Sequence, residues 1–351
     1  MTIEAEPQSF SSVNSSLVYV VYDVDYSTAN YKYVADIHIA SVLVFRAVGF
    51  PNPVNNRGIF DLSDVIRQYV ASAFKDEQGA GEFSLLVEVN FREQKAGVLS
   101  GILVTSSLVF TNNYLVRGDS RNVMQTLSDK PATNRPRQIT MPEDCTTFYL
   151  PYFVYTAGAI TVIKNAVSST VTPVAVNSML RINIAIGATA DYSVSINGVV
   201  FTVNVVCAGL YNNYVIHFLN KWGGWESILF NKVSRKAISA EKKGFQKLPY
   251  RVSAAGLVSY SASDVMHQQG ITYGVLADEK LRISTDLLND AEYQWLYQLI
   301  ISPSVYLQDG VTVYPVNIEN SDYEFKESIV DNLTNLTIDV SFGNKFLTQF
   351  Q

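Results

Sequence analysis

The residue types that most often bind metals or act as nucleophiles are few and scattered in this 351-residue chain. Its three histidines are His38, His217 and His267, and its two cysteines are Cys145 and Cys207. No two histidines are close in sequence, and neither cysteine is spaced from a histidine as in a local metal signature. The sequence therefore predicts no metal site. It favours buried apolar roles for the cysteines and leaves a bridge between them open.

Carboxylates suggest two further kinds of chemistry, calcium binding and glycoside hydrolysis. Asp23-x-Asp25 resembles the start of a calcium loop, but the glycine and the closing glutamate of that loop are missing. We interpret these two residues as the solvated face of a strand. Glu319, Asp322 and Glu324 could supply the carboxylate pair of a glycosidase, so a glycoside hydrolase on a β-scaffold is one alternative function.

Motifs for phosphate binding and for an activated serine are absent from the sequence. The chain has no G-x-S-x-G, no G-x-x-x-x-G-K-[ST] and no G-x-G-x-x-G. The sequence therefore predicts a protein that is not an enzyme, with no catalytic residue and no cofactor.

Aromatic side chains are the group that points to binding. Residues 211–232 carry two aromatic-rich runs separated by a glycine pair, a pattern that predicts a β-hairpin. Trp222 and Trp225 flank this turn, and Tyr211 and Tyr214 precede it. These four are candidate binding residues, because exposed aromatic rings stack on sugars and anchor protein partners. The alternative is that they close the core of a β-sandwich.

Composition limits the class of partner. The chain is 48% hydrophobic and 17% charged, with 21 tyrosines and 18 phenylalanines. This favours either β-structure with surface that is buried in an assembly or a large ordinary β-core. The net charge of −6 argues against nucleic acid. The sequence contains neither a signal peptide nor a membrane-spanning apolar run, so we expect cytoplasmic synthesis, with exit only inside a larger particle.

Apolar patterning predicts a mainly β fold of tandem β-sandwich-like modules with two amphipathic helices. Residues 1–117 are predicted to form an N-terminal β module with a helix over 61–74, where apolar residues recur at helical spacing. Residues 118–144 are rich in proline and polar residues, which predicts a linker or an extended crossover.

The remainder of the chain is predicted to form two more modules. Residues 145–233 form a central β-sandwich, in which Asn197-Gly198 is a hairpin turn and the tryptophan hairpin comes last. Residues 234–351 form a C-terminal β module with a helix over 287–300. The basic segment at its start, 234–247, is interpreted as a solvated connection, with room for a helical turn.

The order of these segments is similar to that of a known group of proteins. A strand pair, YKYVADIHIASVLVFR, precedes PNPVNNRGIFDLSDVIRQYV, and the hairpin YNNYVIHFLNKWGGWESILF follows in mid-chain. The last part reads YQWLYQLIISPSVYLQDG and then YPVNIENSDYEFKESIVDNLTNLTIDVSF. From Val18 to Phe342 this order resembles the β-rich tail and baseplate proteins of tailed bacteriophages, particularly phages and prophages of Bacteroidetes-type hosts.

The resemblance implies a virion structural protein, without a cofactor, that forms a ring or collar with copies of itself and with other tail proteins. A ring requires heterologous contacts between subunits. Three long polar segments, 51–57, 118–144 and 234–247, are able to reach neighbouring subunits. Seven candidate interface residues lie in these segments: Pro51, Asn55, Arg57, Arg135, Arg137, Lys242 and Lys243. The alternative functions are a carbohydrate-binding or adhesin module that uses exposed aromatic residues, and a glycoside hydrolase.

Overall fold

A computed structural model describes most of the chain. The described residues are 1–70, 74–75, 77–78, 82–101, 104–114, 116, 129–143, 147–185, 191–206, 211–246, 250–260, 270–319, 335–342 and 346–348. The fold is mainly β, with 58% of the described residues in strands, 6% in helices and several separate sheets, which confirms the predicted fold class. Among the described residues, neither helix has the length and apolar character needed to cross a membrane.

The N-terminal segment contributes two sheets that pack on each other. Its elements in chain order are β1 (Thr2–Ala5), β2 (Ser11–Ser12), β3 (Val18–Tyr22), β4 (Lys32–Ile39), β5 (Val42–Gly49), β6 (Gly58–Asp61), α1 (Ser63–Arg67), β7 (Glu77–Gln78), β8 (Ser84–Lys95), β9 (Val98–Leu99) and β10 (Val104–Thr111). One sheet has the order β1-β3-β6, and the other has the order β2-β10-β8-β4-β5 with β9 beside β8. Alternate residues of β4, Tyr33, Ala35 and Ile37, enter the shared core.

The predicted helix over 61–74 is much shorter in the structure, where α1 covers five residues, Ser63–Arg67. Leu62, Ile66 and Val70 are all buried, so the apolar spacing identified the face that meets the core. Only the first part of that face has helical backbone. The β-branched and aromatic residues that follow have lower helix propensity, and residues 71–73 lie outside the described chain.

The central segment forms a β-sandwich. Its strands are β11 (Lys130–Pro131), β12 (Gln138–Pro142), β13 (Thr147–Val154), β14 (Ile160–Lys164), β15 (Val167–Val171), β16 (Ser178–Ala185), β17 (Tyr192–Ile196) and β18 (Val199–Val206). They form two sheets around one apolar core. One sheet has the order β11-β13-β16-β7, in which β7 comes from the N-terminal segment, and the other has the order β12-β18-β17-β14-β15. Asn197 and Gly198 both have positive φ and join β17 to β18, which confirms the predicted hairpin turn.

The predicted linker over 118–144 is partly strand. β12 pairs in parallel with β18, and its residues Ile139 and Met141 are buried in the central core. This apolar alternation places the segment in the sheet despite its prolines, because Pro142 stands at the last position of the strand.

The C-terminal segment is one large sheet with a helix against it. Its elements are β19 (Tyr214–Leu219), β20 (Trp225–Phe230), β21 (Arg235–Gln246), β22 (Tyr250–Val252), β23 (Val258–Tyr260), β24 (Gly270–Ser284), α2 (Asp290–Ile301), β25 (Val305–Asp309), β26 (Thr312–Ile318), β27 (Thr337–Phe342) and β28 (Phe346–Thr348). The sheet order is β20-β19-β25-β26-β27-β24-β21 with β28 beside β24, and β22 and β23 form a separate hairpin. The helix begins three residues later than predicted, because Asn289 and Glu292 form a capping box.

Two predictions about the residues from 211 to 247 are wrong. The hairpin of β19 and β20 was assigned to the central sandwich, but β19 pairs with β25 and so belongs to the C-terminal sheet. The segment 234–247 was interpreted as a solvated connection, but most of it is β21, which pairs with β24 along twelve residues. Both errors concern strand partners that are distant in sequence.

Candidate functional site

The turn between β19 and β20 lies where the three segments meet. Gly223 has a φ of +83°, and a Cβ there would lie 2.2 Å from Asn112 Oδ1. A Cβ on Gly224 would lie 2.4 Å from the Cβ of Pro151. The turn is therefore held between the N-terminal segment, at Asn112, and the central segment, at Pro151, and only glycine fits at both positions.

The side chain of Asn220 fixes this turn from inside the protein. Its Oδ1 accepts hydrogen bonds from the backbone N–H groups of Trp222 at 3.0 Å and Gly224 at 2.9 Å. Its Nδ2 donates to the carbonyl oxygen of Ala132 at 2.7 Å and to Glu226 Oε1 at 2.5 Å. All donors and acceptors of this fully buried amide are used, and each bond would be lost if the turn moved. The hydrogen bonds of Asn220 therefore hold the turn in a single conformation.

Helix α2 and the end of the N-terminal segment are tied to the same turn. The Tyr114 hydroxyl lies 3.2 Å from the carbonyl oxygens of both Leu219 and Gln298. The side-chain oxygen of Gln298 accepts a hydrogen bond from the Lys221 N–H at 3.0 Å. We call this meeting point of the turn, β10, β13 and α2 the junction.

Trp225 and Tyr214 lie in the core and not on the surface. Trp225 is 1% exposed and Tyr214 is 2% exposed. The Trp225 ring meets the rings of Phe74 and Tyr306 nearly edge-on, at centroid distances of 5.3 and 5.4 Å. Trp225 and Tyr214 were both predicted to bind a ligand, but neither has a ring face open to one. The structure therefore supports the alternative in which they close the core.

Trp222 borders a groove that it shares with two other candidate residues. The groove has a volume of about 280 Å³ and is lined by Lys130, Arg135, Arg137 and Trp222, among others. The Trp222 indole N–H donates to Asn134 Oδ1 at 3.1 Å. One ring face is covered by the ammonium group of Lys221, 5.1 Å from the ring centroid. A planar ligand would have to displace that ammonium group to stack on this face.

Arg135 differs from the prediction that it is an interface residue. It is 8% exposed, and its guanidinium lies 4.7 Å from the centroid of the Trp295 ring. It also donates a hydrogen bond to the carbonyl oxygen of Ser227 at 3.1 Å. Arg135 therefore joins β20 and α2 inside the protein. Arg137, two residues further on, is exposed.

The first predicted interface loop makes most of its contacts within the chain. Arg57 forms an ion pair with Glu4, and its guanidinium lies 5.5 Å from the centroid of the Tyr22 ring. Asn55 Oδ1 accepts a hydrogen bond from the Arg57 N–H at 3.2 Å, and Pro51 is partly buried. These contacts give the loop a defined conformation against β1 and β3.

Two buried ionisable groups flank the junction. Glu226 is fully buried, and burial raises the pKa of its carboxyl group, although the hydrogen bond from Asn220 and the charge of Arg135 act in the opposite direction. Burial lowers the pKa of His217 from 6.5 to about 4. Both groups therefore favour their neutral forms in the folded protein.

The His217 side chain contacts a hydroxyl group, as the base of a serine hydrolase would. Its Nδ1 lies 2.7 Å from Ser227 Oγ, and its Nε2 lies 2.8 Å from Gln308 Oε1. His217 is fully buried, however, and an imidazole with a pKa of about 4 is a weak base. His217 and Ser227 are directly opposite each other on β19 and β20, so their contact is a cross-strand pair.

An acidic group lies apart from the junction, in the N-terminal segment. Asp23, Asp25 and Glu93 each offer an oxygen within 4.8 Å of the others. The Met1 amino group lies 3.0 Å from Asp23, and Lys95 Nζ lies 2.8 Å from Asp25 and 3.0 Å from Glu93. These two ammonium groups offset two of the three negative charges of the cluster. The interpretation of both aspartates as solvated is wrong for Asp23, which is 2% exposed.

Other candidate residues are placed as follows. Glu319 forms an ion pair with Lys280 at 2.5 Å, and Tyr211 is 50% exposed. Lys242 and Lys243 are exposed on β21. Five candidates lie outside the described residues: Cys145, Cys207, His267, Asp322 and Glu324.

Among the described residues, β5 and β21 are long strands with one unpaired edge, and sequence reasoning missed both. β5 ends the six-stranded sheet, and four of its apolar side chains are between 44% and 62% exposed: Val42, Leu43, Phe45 and Val48. β21 ends the C-terminal sheet, and all twelve of its residues are exposed. For β5 a signal was present, since its apolar residues occupy both alternating faces and cannot all enter one core.

No protein-family model matches the sequence, and no curated protein matches it.

Proposed function

We propose that the protein is a structural component of a phage tail or baseplate and that it acts by assembling with further copies of itself. The observation that carries this proposal is the pair of open edge strands, β5 and β21. Proteins usually shorten, twist or cover their edge strands, because unpaired backbone groups attract other chains. β5 has eight residues and β21 has twelve, lengths that suit pairing with a strand of another subunit.

The apolar surface of β5 favours burial in an assembly. Val42 and Val48 are 62% and 50% exposed, and Phe50, just beyond the strand, is 70% exposed. A row of apolar side chains along a sheet edge is typical of an interaction site. The low charge content of the chain, 17%, agrees with extensive contacts between subunits.

The chemistry of the junction supports a structural role. Glu226 and His217 are the two side chains there that could act as a general acid or base. Each is fully buried and hydrogen-bonded within the fold. A catalytic acid or base must reach a substrate. Among the described residues, these groups serve the contact between segments, which favours assembly over hydrolysis.

Sedimentation velocity of the purified chain over a wide concentration range tests self-assembly. We expect a mass above that of one chain that grows with concentration. Val48→Lys should weaken association, because a lysine on an edge strand opposes pairing. Val311→Lys is the matched control, since Val311 is 99% exposed in the turn between β25 and β26, in a different segment from β5. A monomer at every concentration would overturn the proposal.

The position of the coding sequence in its genome provides an independent test of the phage assignment. Neighbouring genes for a portal, a tape-measure protein or a tail tube would support it. A neighbourhood of metabolic genes alone would contradict it.

A second candidate function is carbohydrate binding at the groove beside Trp222. The observation that favours it is that an aromatic ring and the cations of Lys130 and Arg137 border one groove, a combination that suits an acidic sugar. Trp222→Ala and Arg137→Ala should then abolish binding on a glycan array while the fold stays intact. Tyr211→Ala is the control, since Tyr211 is exposed outside the groove. No binding by the wild type would remove this candidate.

A further inference from the structure

We infer that β21 pairs with β21 of a second copy, antiparallel, about a two-fold axis that passes midway between the two copies of Ile238. This inference rests on the proposed function and names the partner and the register of one contact. β21 pairs with β24 along one side, from Arg235 opposite Arg282 to Gln246 opposite Gly270. The sheet order of the described residues ends at β21, so its other side is open.

The geometry of a sheet restricts how two copies of one strand can pair. Residues directly opposite each other point to the same face, and residues along a strand alternate between faces. A two-fold axis perpendicular to the sheet must therefore lie midway between two copies of the same residue. It cannot lie at the level of the bond between one residue and the next. β21 is regular in this respect, since the irregularity in its pairing with β24 leaves Tyr273 of β24 as the extra residue.

Charge then selects among the permitted registers. With the axis at Ile238, Arg235 of each copy lies opposite Glu241 of the other, and no like charges are opposed within β21. One residue further, with the axis at Ser239, four like-charge contacts arise, because Arg235 meets Lys243 and Lys236 meets Lys242. Opposite charges across strands stabilise a sheet, and like charges destabilise it.

The remaining registers are less favourable. An axis at residue 241, 242 or 243 places a charged side chain against its own symmetry mate. An axis at residue 240 pairs no charges of either sign, and an axis at residue 237 aligns fewer residues of the strand. Among the registers with the axis at residues 237 to 243, the one at Ile238 is the register that pairs opposite charges without opposing like charges.

The contacts within one chain leave Arg235 and Glu241 available for this pairing. Arg235 lies opposite Arg282, whose guanidinium is already bound by the two oxygens of Asp339 at 2.6 and 2.7 Å. Glu241 lies opposite the apolar Leu276. A second copy would place a carboxylate on the open side of Arg235. It would also cover Ile238, which is 75% exposed in the single chain.

Disulfide trapping tests the position of the axis. Ile238→Cys should give a cross-linked dimer under mild oxidation, because the two side chains at the axis are about 5 Å apart. Phe245→Cys is the matched control on the same exposed strand, since its two copies would be about 45 Å apart. Wild type accounts for any cross-link through the native cysteines. Equal cross-linking of the two variants, or none in Ile238→Cys, would overturn the register.

Charge reversal tests the paired residues. Arg235→Glu and Glu241→Arg should each raise the dimer dissociation constant about tenfold, and the double variant should restore it. Circular dichroism checks that each variant is folded, as expected for changes on an exposed strand. Failure of the double variant to restore the constant would count against the pairing.

The outcomes separate this inference from the proposed function. If wild type associates but Ile238→Cys does not cross-link, the β21 pairing is wrong while self-assembly stands, through another surface such as β5. If wild type is a monomer at every concentration, both are wrong.

Discussion

Replacing Trp225 by alanine should destabilise the protein far more than replacing Trp222, although the two residues flank the same turn. Trp225 is 1% exposed, and its ring contacts those of Phe74 and Tyr306 at centroid distances of 5.3 and 5.4 Å. Truncation of a fully buried aromatic side chain costs about 3–5 kcal/mol, which includes the cavity that remains.

Truncation of Trp222 removes less buried apolar surface than truncation of Trp225. Its ring is partly buried against Phe83 and Phe153, and its indole N–H bond to Asn134 is exposed to solvent. Partial burial of a large apolar side chain is worth about 1–2 kcal/mol. The difference between the two variants should therefore be about 1–4 kcal/mol, which is about fivefold to nearly a thousandfold in the ratio of folded to unfolded protein.

Urea unfolding followed by far-ultraviolet circular dichroism measures this difference, since fluorescence would change with the loss of either tryptophan. The slope of the unfolding free energy with urea should match wild type in both variants, so that the midpoints report stability. Equal destabilisation, or a larger effect of Trp222→Ala, would refute the assignment of Trp225 as the residue that closes the core.

Three further predictions concern the junction and its reference positions. Gly223→Ala and Gly198→Ala should each lose about 1–2 kcal/mol of unfolding free energy, because both positions have a left-handed backbone. Gly223→Ala should lose about 1–3 kcal/mol more in urea unfolding. Its Cβ would lie 2.2 Å from Asn112 Oδ1, whereas a Cβ on Gly198 would meet open space. The raised pKa of Glu226 means that the folded state keeps a proton that the unfolded state releases, so the unfolding free energy should fall as pH rises above 4.5, and Glu226→Gln should lack this slope. The pKa of His217, lowered from 6.5 to about 4, should remove about 3 kcal/mol of stability as pH falls across that interval, and His217→Gln should flatten the loss. Profiles that are identical in wild type and these two variants would contradict both pKa assignments.

Local patterns predicted the hairpins well. The hairpin predicted within residues 211–232 is formed by β19 and β20, because aromatic and β-branched runs end at a glycine turn. The turn at Asn197-Gly198 is also where it was expected. In each case the strands and their turn lie within about twenty residues of sequence, so the pairing partner is part of the visible pattern.

Sheet membership could not be read in the same way. Tyr214 of β19 lies opposite Asp309, which is far away in sequence, and this pairing places the hairpin in the C-terminal sheet. β21 has no apolar face, because no core covers either of its sides, so its composition is that of a solvated segment. It is a strand because β24 supplies hydrogen-bond partners along its whole length.

The candidate site was predicted in part for a similar reason. The sequence shows that Trp222 and Trp225 flank a turn, but both positions are apolar and adjacent to glycine, and their burial depends on what lies across the turn. Pro151 and Asn112, from two other segments, decide this. The polar residues of the junction, such as Asn220, carry no pattern of their own, because their partners come from all three segments.

The C-terminal sheet has two ends with different surroundings, and this separates folding from association. At one end, β20 packs against β13, and its turn is held between Pro151 and Asn112. At the other end, β21 is exposed along its full length. Because changes at the junction remove buried contacts, they should lower the unfolding free energy of a single chain. Because changes on β21 remove no buried contact, they should leave that free energy close to wild type and alter only the concentration at which copies associate.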